Sequence, residues 1–403
     1  MTTDKHLVSD LIGSTPPRHT RAVTLALRHA AERYGLFERP WTVACSGGPD
    51  SLALVFAAAD LASRKSVPLN AVIVDHGMRA ESAREAAQTS ALLDEWGIVN
   101  QVQRVEVSQS GGLEAAAREA RYEALRENTA PGGAILLGHT MDDQAETVLL
   151  GLGRGSGTRS LSGMREYVED SHVWVRPLLS VRRFDTEGMC EELKLTAVED
   201  PSNKIDGGWT TRAGKPLPRV AVRHRVIPEL SQALGRDVVP LLARSAELLD
   251  QDATALEQIA AQHIPEQQSE TRQREQLVAE RIRGQQSETP RREQLVANHM
   301  PGQQSDEPRL ERQLDSHEGA STALVVEELA TLPAAIRTRI LMDAAISVGS
   351  GALEASHVNE LDRLVTDYRG GGPIHLPGGV RAWREKTVVD GTVKRRIRIL
   401  KRS

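Results

Sequence analysis

Along the first 230 residues, short β-type apolar runs alternate with stretches of helical periodicity. The β-type runs are Thr42–Cys45, Leu69–Val74, Asn100–Val107, Ala134–Leu137 and His172–Val175. The helical stretches are Ser51–Ser63, Ser82–Trp96, Leu113–Asn128 and Asp142–Leu150. Strands that alternate with helices predict an α/β fold, a doubly wound and mostly parallel sheet with helices on both faces. Ligands of such sheets sit outside the carboxyl ends of the strands.

The pattern changes further on. LVVEELATLPAAIRTRILMDAAISVG has helical periodicity around Pro333, and HVNELDRLVTDY adds another helix. GGGPIHLPGGVRAWRE and TVVDGTVKRRIRIL read as turns and short strands. This predicts a smaller, helical α+β second domain. Between the two patterns an 18-residue unit recurs, with QQSETRQREQLVAERIRG at Gln267, QQSETPRREQLVANHMPG at Gln285 and QQSDEPRLERQL at Gln303. These copies are too short and too polar for a solenoid. They read as a duplicated insertion, partly helical or disordered. The expected division is 1–235, a connecting helix 236–265, the repeat 266–320 and a last domain 321–403.

Composition narrows the function classes. A chain of 403 residues can bury a core without staples. Two distant cysteines, Cys45 and Cys190, make neither a disulfide framework nor a four-cysteine zinc site, which fits a reducing, cytoplasmic setting. The N-terminus lacks a basic segment followed by an apolar core, and no apolar run approaches the roughly 18 residues of a membrane span. The net charge is −5, so any polyanion must meet local positive charge. Two stretches supply it. Pro201–Arg236 is net +5 and Gly379–Ser403 is net +7.

The sharpest chemistry lies where the first β-type run ends. Ser46-Gly47-Gly48-Pro49-Asp50-Ser51 leads directly into a helix. Glycines admit a close phosphate, and a helix N-terminus adds free N–H donors. No lysine follows, so this is not the lysine-bearing phosphate loop. Asp50 would repel phosphates unless a Mg²⁺ bridged them. The bland alternative is a strand-to-helix turn with Ser and Asp caps. Asp75 and His76 end the second run, as nucleotide contacts or as an ordinary turn. Arg118 and Arg121 share a helix face beside Tyr122, as a phosphate clamp or as a solvated face paired with Glu114 and Glu119. His139, Asp142, Asp143 and Glu146 open the helix after Leu137. They either complement its dipole or bind an ammonium group or Mg²⁺. Arg176 reads equally as a structural ion pair or a phosphate contact. Arg182-Arg183 reads as surface charge or RNA contact.

The motif S-G-G-x-D-S after a first strand resembles the PP-loop ATP pyrophosphatases. Val74-Asp75-His76-Gly77-Met78-Arg79 then resembles the V-D-H-G-L-R segment of the tRNA(Ile)-lysidine synthetases. Gly112–Tyr122, Gly138–Thr147, Arg176-Pro177-Leu178-Leu179, Glu199–Asn203 and Leu376-Pro377-Gly378-Gly379 follow in that family's order. The resemblance implies an enzyme that uses ATP and Mg²⁺ to join free lysine to the wobble cytidine of a CAU-anticodon tRNA(Ile). ATP would sit on Ser46, Gly47, Gly48, Pro49, Asp50 and Ser51, with Asp75 and His76, and Asp50 would serve the metal. Arg118, Arg121, His139, Asp142, Asp143 and Glu146 would serve lysine and catalysis. Arg176, Asn203, Arg219, Arg223, Lys394, Arg395 and Arg396 would face substrate or tRNA. No membrane partner is implied, and a homodimer is compatible with it. The sequence departs from the family at an inserted stretch, Gly207–Pro216, and at Ala221, where an arginine is common. A tRNA thiolase and a non-catalytic nucleotide sensor with an RNA-binding tail are the rival readings. The unpaired cysteines weigh against the first.

Overall fold

The computed structural model describes residues 8–77, 81–105, 113–155, 157–198, 216–286, 320–389 and 392–401. It divides into two compact units, Met1–Gln251 and Asp252–Ser403. The first unit opens with α1 (Val8–Ile12), α2 (Arg18–Arg33), β1 (Trp41–Cys45), α3 (Pro49–Lys65), β2 (Leu69–Asp75), α4 (Ser82–Glu95) and β3 (Asn100–Arg104). It continues with α5 (Leu113–Glu127), β4 (Ala134–Leu136), α6 (Met141–Gly153), α7 (Thr158–Leu161), β5 (Tyr167–Glu169), β6 (Val173–Val175), α8 (Arg183–Glu192), α9 (Pro218–Ala221) and α10 (Ile227–Ala233). A long helix, α11 (Val239–Gln286), crosses the boundary between the units.

The six strands lie in the order β3-β2-β1-β4-β6-β5. Neighbours are parallel except the edge strand β5, which runs antiparallel to β6. The side-chain period of two separates the faces. Val43, Cys45, Ala71, Ile73, Leu136 and Val175 join one core with α2, α3, α4 and α8. Val72, Ile135 and Trp174, one residue out of phase, join a second core with Leu125 of α5. The strand order reverses between β1 and β4, which opens a crevice at their carboxyl ends.

The second unit holds β7 (Ser321–Val325), α12 (Val326–Thr331), α13 (Ala334–Ser347), α14 (Ala355–Thr366), β8 (Ile374–Leu376), β9 (Val380–Val389) and β10 (Thr392–Lys401). They form an antiparallel sheet in the order β7-β10-β9-β8. Ile336, Ile340, Leu341, Leu361, Ile397 and Ile399 build its core. Two expectations need correcting here. The stretch from Leu324 begins as a strand, and the short C-terminal strands are one hairpin of ten-residue strands. The backbone of α11 continues through the first repeat copy to Gln286, and the later copies up to residue 319 lie outside the described residues. No described helix is long and apolar enough to cross a membrane.

Candidate active site

The loop after β1 is pinned from within. Ser51 Oγ accepts the Ser46 amide at 3.1 Å and donates to the Gly48 carbonyl at 2.9 Å. Gly47 sits at φ 82°, and a Cβ there would fall 2.4 Å from Thr89 Oγ1, so only glycine fits. Pro49 takes the first helical position, where its missing N–H costs nothing. The result is a helix N-terminus shaped to receive an anion. Cys45 beside it is buried, and burial pushes its thiol up to about 11, so it is a core residue and not a nucleophile.

The turn leaving β4 meets this loop. A Cβ on Gly138 would lie 3.0 Å from the Asp50 carbonyl, so the missing side chain lets the two backbones approach. Asp143 Oδ2 accepts the Thr140 amide at 2.9 Å and the Thr140 hydroxyl at 3.0 Å, which fixes the start of α6. Asp142, Asp143 and Glu146 are thereby brought to Asp50.

Arg183, at the start of α8, sits among them. Its guanidinium donates to Asp143 Oδ1 at 2.7 Å, Glu146 Oε1 at 3.2 Å and Asp50 Oδ2 at 3.4 Å. Its amide donates to Asp142 Oδ2 at 2.8 Å. Arg182 grips both oxygens of Asp142, at 3.1 and 3.2 Å, and also holds Asp237. Glu146 is fully buried and takes Arg223 at 2.7 and 3.1 Å, with Arg219 at 3.5 Å. Arg219 and Arg223 both reach Glu146 because, four residues apart, they share one face of the helix, which continues into a π-turn closed by the Ile227 amide on the Val222 carbonyl. Four carboxylates therefore meet four guanidiniums. The carboxylates differ nonetheless. Burial raises Asp50 to about 6, against the pull of Arg183 and the Thr186 hydroxyl. Burial also opposes ionisation of Asp143, but Arg183 and the Thr140 amide hold it below the usual range.

A second group of side chains lines the same end of the sheet with few partners. The buried atoms His76 Nδ1, Arg121 Nε, His139 Nδ1 and Arg176 Nε have no hydrogen-bond partner. Burial, then Arg121, lowers His76, and burial presses His139 down to about 3, so neither imidazole carries charge near neutrality. Asp75 is turned back on its own loop and accepts the Gly77 amide at 2.9 Å. Arg118 stacks on Tyr122, 4.8 Å from the ring centroid, and donates to its hydroxyl at 3.0 Å. Buried nitrogens without partners at the carboxyl end of the sheet, those of His76, Arg121 and His139 among them, suit an incoming anion.

Several placements differ from the sequence expectation. Arg182 and Arg183 are not loose surface charge. Both lock onto the acids, because α8 starts just beyond β6 at the carboxyl edge of the sheet. Thr186, one turn along α8, is fully buried against Asp50 and had no signal in the motif pattern. Arg219 and Arg223, expected to face substrate or tRNA, turn inward to Glu146. Arg396 is 4% exposed, because β10 lies between β7 and β9 and pairs it with Val325 and Glu385, so it is not the surface phosphate contact expected of it. Arg395 remains exposed, 3.6 Å from Glu327. Asn203, the Gly207–Lys215 stretch and Met78-Arg79 lie outside the described residues. Among the described residues no cluster of three His, Cys, Asp or Glu is ready to hold a metal ion. Mg²⁺ is usually held by one or two carboxylates together with phosphates and water, and Asp50 beside the loop suits that.

The comparisons agree with this geometry. The model of the PP-loop domain family matches residues 22–230, and a lysidine synthetase substrate-binding domain matches 324–387. The sheet, its loop and its acids thus define a PP-loop protein. The chain is 37% identical to the tRNA(Ile)-lysidine synthase of Mycobacterium tuberculosis over 369 residues, 89% of this chain and 92% of that one. It is 39% identical to the enzyme of that name from Streptomyces coelicolor, covering 85% and 82%. Against that of Thermobifida fusca the identity is 40%, covering 85% and 88%. The chain belongs to the tRNA(Ile)-lysidine synthase family.

Proposed function

We propose that this chain ligates free lysine to carbon 2 of the wobble cytidine in the CAU anticodon of tRNA(Ile), at the expense of ATP. The product base pairs with A in place of G, which moves codon reading from AUG to AUA. The observation that carries the reading is the meeting of an anion-cradling loop with four carboxylates at the β1–β4 crevice, in a chain of this family. The Ser46–Ser51 loop would hold the phosphates of ATP, and Asp50 would hold a Mg²⁺ that supplies the charge to neutralise them. Oxygen 2 of the cytosine attacks the α-phosphorus, and pyrophosphate leaves. The amine of lysine then attacks carbon 2, and AMP leaves. The second step needs a neutral amine, so a carboxylate must take its proton. Glu146, locked by arginines and without solvent access, is a poor base. Asp142, at 17% side-chain exposure, is better placed to meet an amine. Neutral His139 offers a hydrogen bond and no charge. The reaction belongs in the cytoplasm.

The test is transfer of labelled lysine to CAU-anticodon tRNA(Ile), with one AMP and one pyrophosphate formed per lysine. AMP formation that ignores tRNA and lysine, or ATP binding without pyrophosphate release, overturns the reading.

A pH profile follows from Asp50. The carboxylate is charged only above its raised pKa of about 6, so kcat/KM for ATP should fall as pH drops through that value. Thr186→Val removes a hydrogen bond that favours the charged form. The acidic limb of the rate profile should then move to higher pH, and an unmoved limb assigns it to another group.

The second unit supplies charge on its hairpin, at half-buried Lys394 and exposed Arg395. Replacing Lys394 and Arg395 by alanine should weaken binding of CAU tRNA(Ile) and initiator tRNA alike, because phosphates carry no base identity. The log–log salt slope should flatten by roughly 0.7–0.9 per lost contact. A loss confined to tRNA(Ile) would mean these residues read identity.

A further inference from the structure

A cavity of about 340 Å³ opens on the β5–β6 side of the site. Arg159, Arg165 and Arg176 line it together with the apolar Met164 and Val168, and no carboxylate is among its lining residues. Its floor is held in place. The buried Gln144 side chain accepts the Met164 amide at 2.8 Å and donates to the Met164 carbonyl at 3.0 Å. Arg176 is 8% exposed, and its guanidinium is tied back to the Arg165 carbonyl at 3.0 Å while its Nε has no partner. Arg165 is anchored at 2.9 Å on Asp250. A buried, unpartnered guanidinium nitrogen in an arginine-lined cavity calls for an anion.

Position decides which anion. The PP-loop follows β1, and Asp75 and His76 follow β2, on one side of the crevice. Arg176 follows β6, two strands from β1 in the other direction, or roughly 10 Å away at the usual strand spacing. A nucleotide spread from β1 toward β2 leaves that side open, and the acids of α6 lie between. We propose that this cavity holds a phosphodiester of the RNA next to the reacting cytidine, with Arg159 and Arg176 on the phosphate oxygens and Met164 and Val168 against the sugar. The inference rests on the lysidine-forming reading, and it makes α7 and the β5 edge the RNA side of the site. Phosphate contacts of this kind fix register, so the cavity would hold the cytidine in line with ATP.

The test uses the full chain and a 17-nucleotide anticodon stem-loop RNA bearing CAU. Two further RNAs carry a neutral methylphosphonate at the linkage 5′ or 3′ of the wobble cytidine. Arg159 is exposed, so Arg159→Ala leaves the fold alone. It should bind the natural RNA several-fold more weakly, with a log–log salt slope lower by roughly 0.7. One methylphosphonate should weaken wild-type binding by a similar factor and cost Arg159→Ala nothing further. A fluorescent ATP analogue should bind both proteins alike. Weakened ATP binding with unchanged RNA binding would give the cavity to the triphosphate and overturn the proposal. Losses that multiply at both linkages would mean that Arg159 touches neither phosphate, which overturns it equally. Wild-type protein that binds ATP and forms no lysidine on full-length tRNA would remove the reading beneath it instead.

Discussion

Asp50→Ala should fold as the wild type does and form AMP at least about a hundredfold more slowly, the scale for losing one preorganised electrostatic group. The fold survives because no partner of Asp50 is orphaned. Arg183 keeps Asp143 at 2.7 Å and Glu146 at 3.2 Å, and the Thr186 hydroxyl keeps the Arg183 carbonyl at 2.7 Å. Stability should not fall at neutral pH. The carboxylate pKa is raised on folding, so the folded state disfavours its charged form above about pH 6, and deletion relieves that cost. Asp50→Asn keeps the shape and drops the charge, so it should fail as the alanine variant does if a cation beside the phosphates is what matters. The measurements are AMP release and an unfolding curve for each variant. An asparagine variant with near wild-type AMP release would reduce Asp50 to a prop for Arg183.

The loop could be read from the chain because its rule is local. A strand, two glycines, a proline and an acid specify a turn whatever surrounds it, and the helix that follows starts where Pro49 says it must. The strands on the α/β side were legible for the same reason, since β-type runs such as Leu69–Val74 and Ala134–Leu137 stand out against alanine-rich helices. Arg183 was not legible in this way. Nothing local separates it from Arg182 or from a solvated arginine pair. Its meaning arises only when β6 lies beside β4 and α8 folds back across the crevice, which brings residues some 40 and 130 positions away onto one guanidinium. The contacts of Arg219 and Arg223 were hidden for a related reason. Their basic stretch looked like an RNA footprint, but their i, i+4 spacing turns both toward a buried glutamate that lies far away in sequence. Arg396 shows the limit of counting charge. It sits in a basic run on a strand, and strand position, not composition, decides that it is covered. The second unit was read as helical too early, because Leu324-Val325-Val326 is a short apolar run that periodicity alone does not assign.

Glu146→Ala should destabilise the first unit by about 3–5 kcal/mol, the usual cost of breaking a buried ion pair from one side. Glu146 has no solvent access and is the main partner of Arg223, which it holds through both oxygens. Without it, Arg223 loses its short two-oxygen contact, and Asp143 lies farther off, at 3.5 Å. Arg219 loses its 3.5 Å ion pair and keeps the Thr147 hydroxyl. Arg183 is better placed, with Asp143 and Asp50 still in reach, so the damage should centre on the α9–α10 segment. Glu146→Gln keeps an acceptor oxygen and the volume, and it should cost less than the alanine variant. Urea unfolding of both variants, followed with a probe in the first unit, measures the difference. Activity helps to separate the roles. If Glu146 is a keystone, the glutamine variant should keep KM for lysine near wild type while losing stability. If Glu146 instead binds the amine, KM for lysine should rise in the glutamine variant even where the fold is intact. A loss of stability below about 1 kcal/mol in the alanine variant would mean that Arg223 finds another carboxylate, and the four-acid, four-arginine arrangement would not be what holds this end of the sheet together.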